Sequence, residues 1–134
     1  MEQITKNEFE RLLDNNPELT THGFGVDAEY RYDVKKERAD LFNLYDEFLV
    51  CCQFLSQLNR RKTANRRWHT YRVKHKIERW ASSRGVKPHY IPEGACVAAA
   101  VYLGFNFKHY KKYPHILLNI SEKSILDGRR FREW

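Results

Sequence analysis

Residues 59–80 read NRRKTANRRWHTYRVKHKIERW: nine lysines and arginines, one acid (Glu78), and Trp68, Tyr71 and Trp80 threaded among them. Lys and Arg neutralise phosphates, and exposed aromatic rings stack on unpaired bases. Cations interleaved with aromatics therefore carry the chemistry of nucleic-acid binding. The candidate phosphate contacts are Arg66, Arg67, Arg72, Lys74, Lys76 and Arg79, with His75 a further candidate nucleic-acid-binding residue among them. Trp68 and Tyr71 are the candidates for stacking on bases or wedging against sugar. Lys108, Lys111 and Lys112, in FKHYKKYP, form a second basic group. The competing reading is a solvated cationic helix whose aromatics pack on a neighbour while arginine stems cover apolar surface. Nine like charges repel one another with one acid to offset them, so folding alone gives no reason to gather them.

Other chemistries find less support. The six histidines, His22, His69, His75, His89, His109 and His115, show no metal-ligand spacing with cysteine or acid, and CxxC and HExxH are absent. No metal or cofactor is expected. The HGFG at residues 22–25 is too short for a phosphate loop. Cys51, Cys52 and Cys96 are odd in number and two are adjacent, which argues against a disulfide framework and for a reducing cytoplasm. Cys96 opens a helix, but its apolar neighbours favour a buried thiol. Carboxylates are scarce in the basic half, against a metal-dependent nuclease. The expectation is a protein without enzymatic activity. An active site at the junction of acidic and basic halves is the third-ranked reading.

The elements that must position these residues are helices. TKNEFERLLD, residues 5–14, opens with Thr5 and Glu8 at capping-box spacing and predicts a short amphipathic helix. Residues 20–32 carry two glycines and no apolar stripe, which reads as a loop with a short extended piece. From Asp33 to Leu58 apolar residues recur in steps of three and four, predicting one long helix. Within a helix over 63–82, Thr70, Val73, Ile77, Trp80 and Ala81 share one side; Trp68, Tyr71, Arg72, His75 and Arg79 share the other. Gly85 stops it. Pro92 and Glu93 suit the first turn of a third helix, 92–104, whose alanines imply close packing on every side.

Two arrangements follow for the chain after Cys96, a helix-turn-helix over residues 96–115 or a hairpin pairing the Phe105–Phe107 stretch with HILLNIS. A helix-turn-helix would place Ala100 in its first helix, Gly104 at the turn and Tyr110 and Tyr113 as anchors of a second helix. A hairpin around HYKKYP would instead give the element order of a winged helix, with the lysines on the wing. The tail, EKSILDGRRFREW, adds at most a last turn.

At 134 residues, 42% apolar and 14% aromatic, the chain has the length of one domain and enough core to fold. No apolar run approaches the ~20 residues of a membrane span, and the opening MEQITKNEFE is unlike a signal peptide. A cytoplasmic protein is expected. The net charge of +7 is unevenly distributed: residues 1–58 hold six Lys/Arg against twelve Asp/Glu (−6), residues 59–134 eighteen against five (+13). The acidic half is too weakly charged to neutralise the basic one.

HTYRVKHKIERW followed by YIPEGACVAAAVYLGF and LLNISEKS resembles a pattern in uncharacterised small proteins of bacterial phages and plasmids. There a Tyr-x-x-Lys-His helix precedes a Gly-Ala-rich helix ending in Gly-Phe and then an Asn-Ile-Ser segment. The matching residues are Tyr71, Lys74, His75, Gly94, Ala98, Ala99, Gly104, Phe105, Asn119, Ile120 and Ser121. The resemblance covers residues 69–124 and implies a mobile-element setting, with no particular activity.

Together these features predict a mainly α-helical single domain, helix-turn-helix-like or winged-helix-like, with a short C-terminal β-hairpin. The expected partner is DNA or RNA. The alternative is a protein-binding module, for example an anti-defence inhibitor of a host complex, docking on an acidic protein surface.

Overall fold

The computed structural model describes residues 3–25, 34–110 and 113–126. Six helices and two small antiparallel hairpins make up these segments, so the fold is mainly helical, as expected. Helix α1, Lys6–Asn15, begins with the anticipated capping box. The Glu8 amide donates to Thr5 Oγ1 at 3.1 Å and the Thr5 amide to Glu8 Oε1 at 3.4 Å. Its buried Phe9 stacks on Phe48 with ring centroids 4.4 Å apart. Strands β1 (Leu19–Thr20) and β2 (Gly23–Phe24) pair Leu19 with Phe24.

The single helix expected over 33–58 is two: α2, Val34–Phe42, and α3, Tyr45–Leu55. The Leu44 amide bonds three residues back, to Leu41 O at 2.9 Å, which tightens the chain into a turn at Asn43–Leu44. Leu41 and Phe48 are fully buried on either side of it, and Leu44 and Tyr45 pack against the core. The apolar periodicity therefore runs through the break without a gap, and periodicity alone does not reveal it.

Helix α4 is Thr70–Arg84, starting seven residues later than the expected 63. Residues 59–69 instead run beside the C-terminal strand region. Arg60 bridges Ile120 and His69 bridges Leu117, while the Arg61 and Asn65 amides donate to Asn119 O and Leu118 O at 2.8 Å each. Two side chains fix the transition. Asn65 Oδ1 accepts the Arg67 amide at 3.1 Å, and His69 caps the helix, its Nδ1 accepting the Arg72 amide at 3.2 Å. Gly85, at φ 67°, ends α4, and the Val86 amide returns to Ala81 O at 2.9 Å.

Helix α5, Glu93–Tyr102, is the buried centre of the molecule, with Ala95 to Ala100 wholly inaccessible. Its glycine is a matter of space: a Cβ on Gly94 would lie 2.1 Å from Thr20 O, so a side chain there would hold the β1–β2 hairpin off α5. The helix-turn-helix alternative fails. After Gly104 the chain forms strand β3, Phe107–His109, paired antiparallel with β4, Ile116–Leu118. Here Gly104 lies in the left-handed region at φ 76°, releasing the chain from α5 into the strand. The short helix α6, Glu122–Leu126, follows.

Candidate nucleic-acid interface

The core stripe expected on α4 is buried in full: Thr70, Val73, Ile77, Trp80 and Ala81. That orientation turns Tyr71, Arg72, His75 and Arg79 outward, with Lys76 half-buried beside them. Tyr71 keeps 46% of its surface exposed. Arg66, Arg67 and Lys108 are exposed too, but on the extended 59–69 segment and on β3. Lys111 and Lys112 lie outside the described residues.

Two expected contacts are corrected. Trp68 is 2% exposed and cannot stack on a base. The outward position assigned to it assumed helix from residue 63. The chain there instead makes a turn at Arg66–Arg67, closed by the Trp68 amide on Asn65 O at 3.1 Å, which leaves both arginines exposed and turns Trp68 inward beside Leu118, whose amide donates to Trp68 O at 3.2 Å. The indole instead carries the Arg72 guanidinium, 4.0 Å above its ring, and Arg72 Nη1 also donates to Arg67 O at 2.9 Å. Trp68 thus sets the position of a cation. Lys74 is 8% exposed, with Nζ 3.6 Å from Glu78 Oε2, and is not available to a phosphate. Glu78 also holds His75, with Nδ1 3.0 Å from Oε1, and accepts the Ile91 amide at 2.9 Å. The lone acid of the basic stretch therefore engages two of the candidate nucleic-acid-binding residues, Lys74 and His75.

The remaining cations line two adjoining depressions. One groove lies between the 61–67 segment and β3; Arg61, Arg66, Arg67 and Lys108 line it, with Phe107 and Tyr110. No carboxylate among the described residues lines this groove. Phe107 is 40% and Tyr110 48% exposed, and Lys108 Nζ stands 5.2 Å from the Tyr110 ring centre. The second depression is the outer face of α4, with Tyr71, Arg72, Lys76 and Arg79. Arg67 and Arg72 join the two through their shared hydrogen bond. Besides the His75–Glu78 contact, this band carries an ion pair from Arg67 Nη1 to Glu122 Oε1 at 3.5 Å, between an exposed guanidinium and a partly exposed carboxylate.

The sequence reading missed Arg61, Phe107 and Tyr110. Arg61, counted among the nine cations of residues 59–80, lay just before the expected helix and was left out of the candidate contacts, and the aromatics gained meaning only once the strand put them beside the arginines. It also missed a polar cluster at the edge of α4. Glu93 is 8% exposed; its Oε2 accepts the Thr70 hydroxyl at 2.7 Å and meets His115 Nδ1 at 2.6 Å. Its signal was an acid opening an otherwise apolar, buried helix, which must find partners inside. The His69 and His115 rings lie 5.6 Å apart. Burial, followed by the nearby His115 and Arg72, holds the His69 imidazole below its usual range.

The three cysteines are buried free thiols, and burial pushes Cys51 and Cys52 well above the ordinary thiol range. Among the described residues, no three His, Cys, Asp or Glu side chains converge as metal ligands, and no helix is long and apolar enough to cross a membrane. No protein-family model, curated protein or solved structure matches the chain.

Proposed function

We propose that the protein binds single-stranded nucleic acid, DNA or RNA, along the band formed by the groove at β3 and the outer face of α4. The observation that carries this reading is the groove itself: three arginines and a lysine without a lining carboxylate, set beside two half-exposed aromatic rings. Cations along a trough attract the backbone, and rings within the trough offer sequence-tolerant stacking platforms. Arg61, Arg66, Arg67, Arg72, Lys76, Arg79 and Lys108 hold phosphates in this reading. Phe107, Tyr110 and Tyr71 stack on bases. Single strands are favoured over duplex because stacking needs unpaired bases, and because α5, the helix preceding the hairpin, has no exposed donors to offer a groove. The hairpin serves as the wing of a winged-helix-like arrangement through Lys108, not through a base-reading helix. A role in handling nucleic acid within a phage or plasmid rests on the resemblance of residues 69–124.

Fluorescence anisotropy with single-stranded and duplex oligonucleotides of matched length tests the proposal. Single strands should bind more tightly, with affinity falling steeply from about 50 to about 200 mM salt. Salt-independent binding, or a preference for duplex, would contradict it. Retention of an acidic protein, with no nucleic acid retained under any condition, would favour the protein-docking alternative.

A further inference from the structure

We propose that the cluster of His115, Glu93, His69 and Tyr71 is a metal-independent ribonuclease site, with His115 as general base. This rests on the nucleic-acid reading and extends it from binding to cleavage, with RNA as the substrate class. A carboxylate only accepts hydrogen bonds, so His115 Nδ1, 2.6 Å from Glu93 Oε2, carries the ring's hydrogen. Its Nε2 is then the basic nitrogen. The same carboxylate oxygen is pinned by the Thr70 hydroxyl at 2.7 Å, and Glu93 is buried while the His115 side chain stays 36% exposed. A sealed acid fixing the tautomer and direction of an accessible imidazole is the orienting arrangement that general bases require.

The second imidazole has the opposite tautomer. His69 Nδ1 accepts the Arg72 amide, so its hydrogen lies on Nε2. Held below the usual imidazole range, His69 is an uncharged N–H donor at neutral pH. The Tyr71 ring completes a triangle with the two, 5.7 Å from His115 and 6.4 Å from His69. Arg72, one residue further along α4, supplies positive charge next to His69.

RNA carries its own nucleophile, so the chemistry needs no added reactant. His115 Nε2 takes the proton of a ribose 2′-hydroxyl, and O2′ forms a bond to the adjacent phosphorus. His69 Nε2–H donates to a non-bridging oxygen as charge builds there. The P–O5′ bond breaks, and Tyr71 gives its hydroxyl proton to the leaving oxygen. The Tyr71 phenolate then regains a proton from the His115 imidazolium through solvent. The products are a 2′,3′-cyclic phosphate and a 5′-hydroxyl, and the protein ends as it began. DNA, lacking the 2′-hydroxyl, binds but is not cut.

The test uses the full chain with a 5′-labelled, randomised-sequence single-stranded RNA pool in EDTA, scoring cleavage and product ends. Cyclic-phosphate ends are expected. His115→Asn sets an amide N–H where Nδ1 stood and so keeps a donor for Glu93, but has no basic nitrogen; it should melt and bind RNA like the parent and cut at least about a hundredfold more slowly. His69→Asn keeps a helix cap and should also lose rate with binding intact. RNA that is bound but stays whole overturns the ribonuclease and leaves the binding reading standing. RNA that is not bound overturns both. Cleavage that EDTA abolishes, or that His115→Asn leaves undiminished, also overturns the proposal.

Discussion

Trp68→Ala would empty a site that is 2% exposed and packed beneath the Arg72 guanidinium. A loss of about 3–5 kcal/mol in denaturant-unfolding stability is expected, as for other buried large-to-small changes. Tyr71→Ala, at a half-exposed position, should leave the unfolding curve nearly unchanged and weaken single-strand binding by about 1–3 kcal/mol. Equal effects of the two on stability would show that their environments had been misassigned. His69 gives a second prediction, on pH. Its imidazole accepts the Arg72 amide and faces His115, Glu93, Tyr71 and Arg72, and its pKa is lowered by burial, then by His115 and Arg72. A lowered histidine pKa means the unfolded chain binds the proton more tightly. The stabilisation is complete above the unfolded value and is lost as pH falls through the folded one. His69→Asn caps the helix at any pH, so urea unfolding at about pH 7.5 and about pH 5 should show a smaller acid loss in the variant.

Among the elements, α1, α4's buried stripe, its stop at Gly85 and the buried Ala-rich α5 were legible because each is written in local spacing: a capping box, a period of three to four, a glycine after the last turn. The start of α4 was not. Residues 59–69 leave the helix because Asn119 O, Leu118 O and Ile120 offer strand-like partners from 50 or more residues away, and no local pattern announces them. That one long-range pairing moved Trp68 inside and created the groove at β3, so the site was readable as composition but not as geometry. The Asn43–Leu44 break was hidden for the opposite reason, since the buried positions keep their spacing across it. Gly94 is where two elements depend on one missing atom. Gly94→Ala forces its methyl against Thr20 O and should cost about 1–3 kcal/mol in thermal or chemical unfolding, by lifting the β1–β2 hairpin. An unchanged melting curve would mean that the hairpin does not close on α5.

Over the whole molecule, charge and packing follow different divisions. The acidic and basic halves share one core, joined by α3 on α5, by Phe48 edge-on to Tyr102 with ring centroids 5.7 Å apart, and by the Tyr102 hydroxyl donating to Glu8 Oε2 at 2.6 Å. That bond holds the Glu8 carboxyl below its usual range and pushes Tyr102 up to about 12. Among the described residues, by contrast, these Lys and Arg ion pairs are local: Arg38 with Asp14 in the acidic half, Lys74 with Glu78 and Arg67 with Glu122 in the basic half. In the proposed reading, that leaves the cations of the groove at β3 and of the outer face of α4 to meet phosphates. The most direct measurement of this is the salt dependence of single-strand affinity for the parent and for a triple variant, Arg61→Ala, Arg66→Ala and Lys108→Ala. Each phosphate contact on a single strand contributes about 0.7 to the slope of log affinity against log salt, so the slope should fall by about 2. A parental slope near zero, or one that the triple variant leaves unchanged, would contradict a phosphate-binding groove at β3.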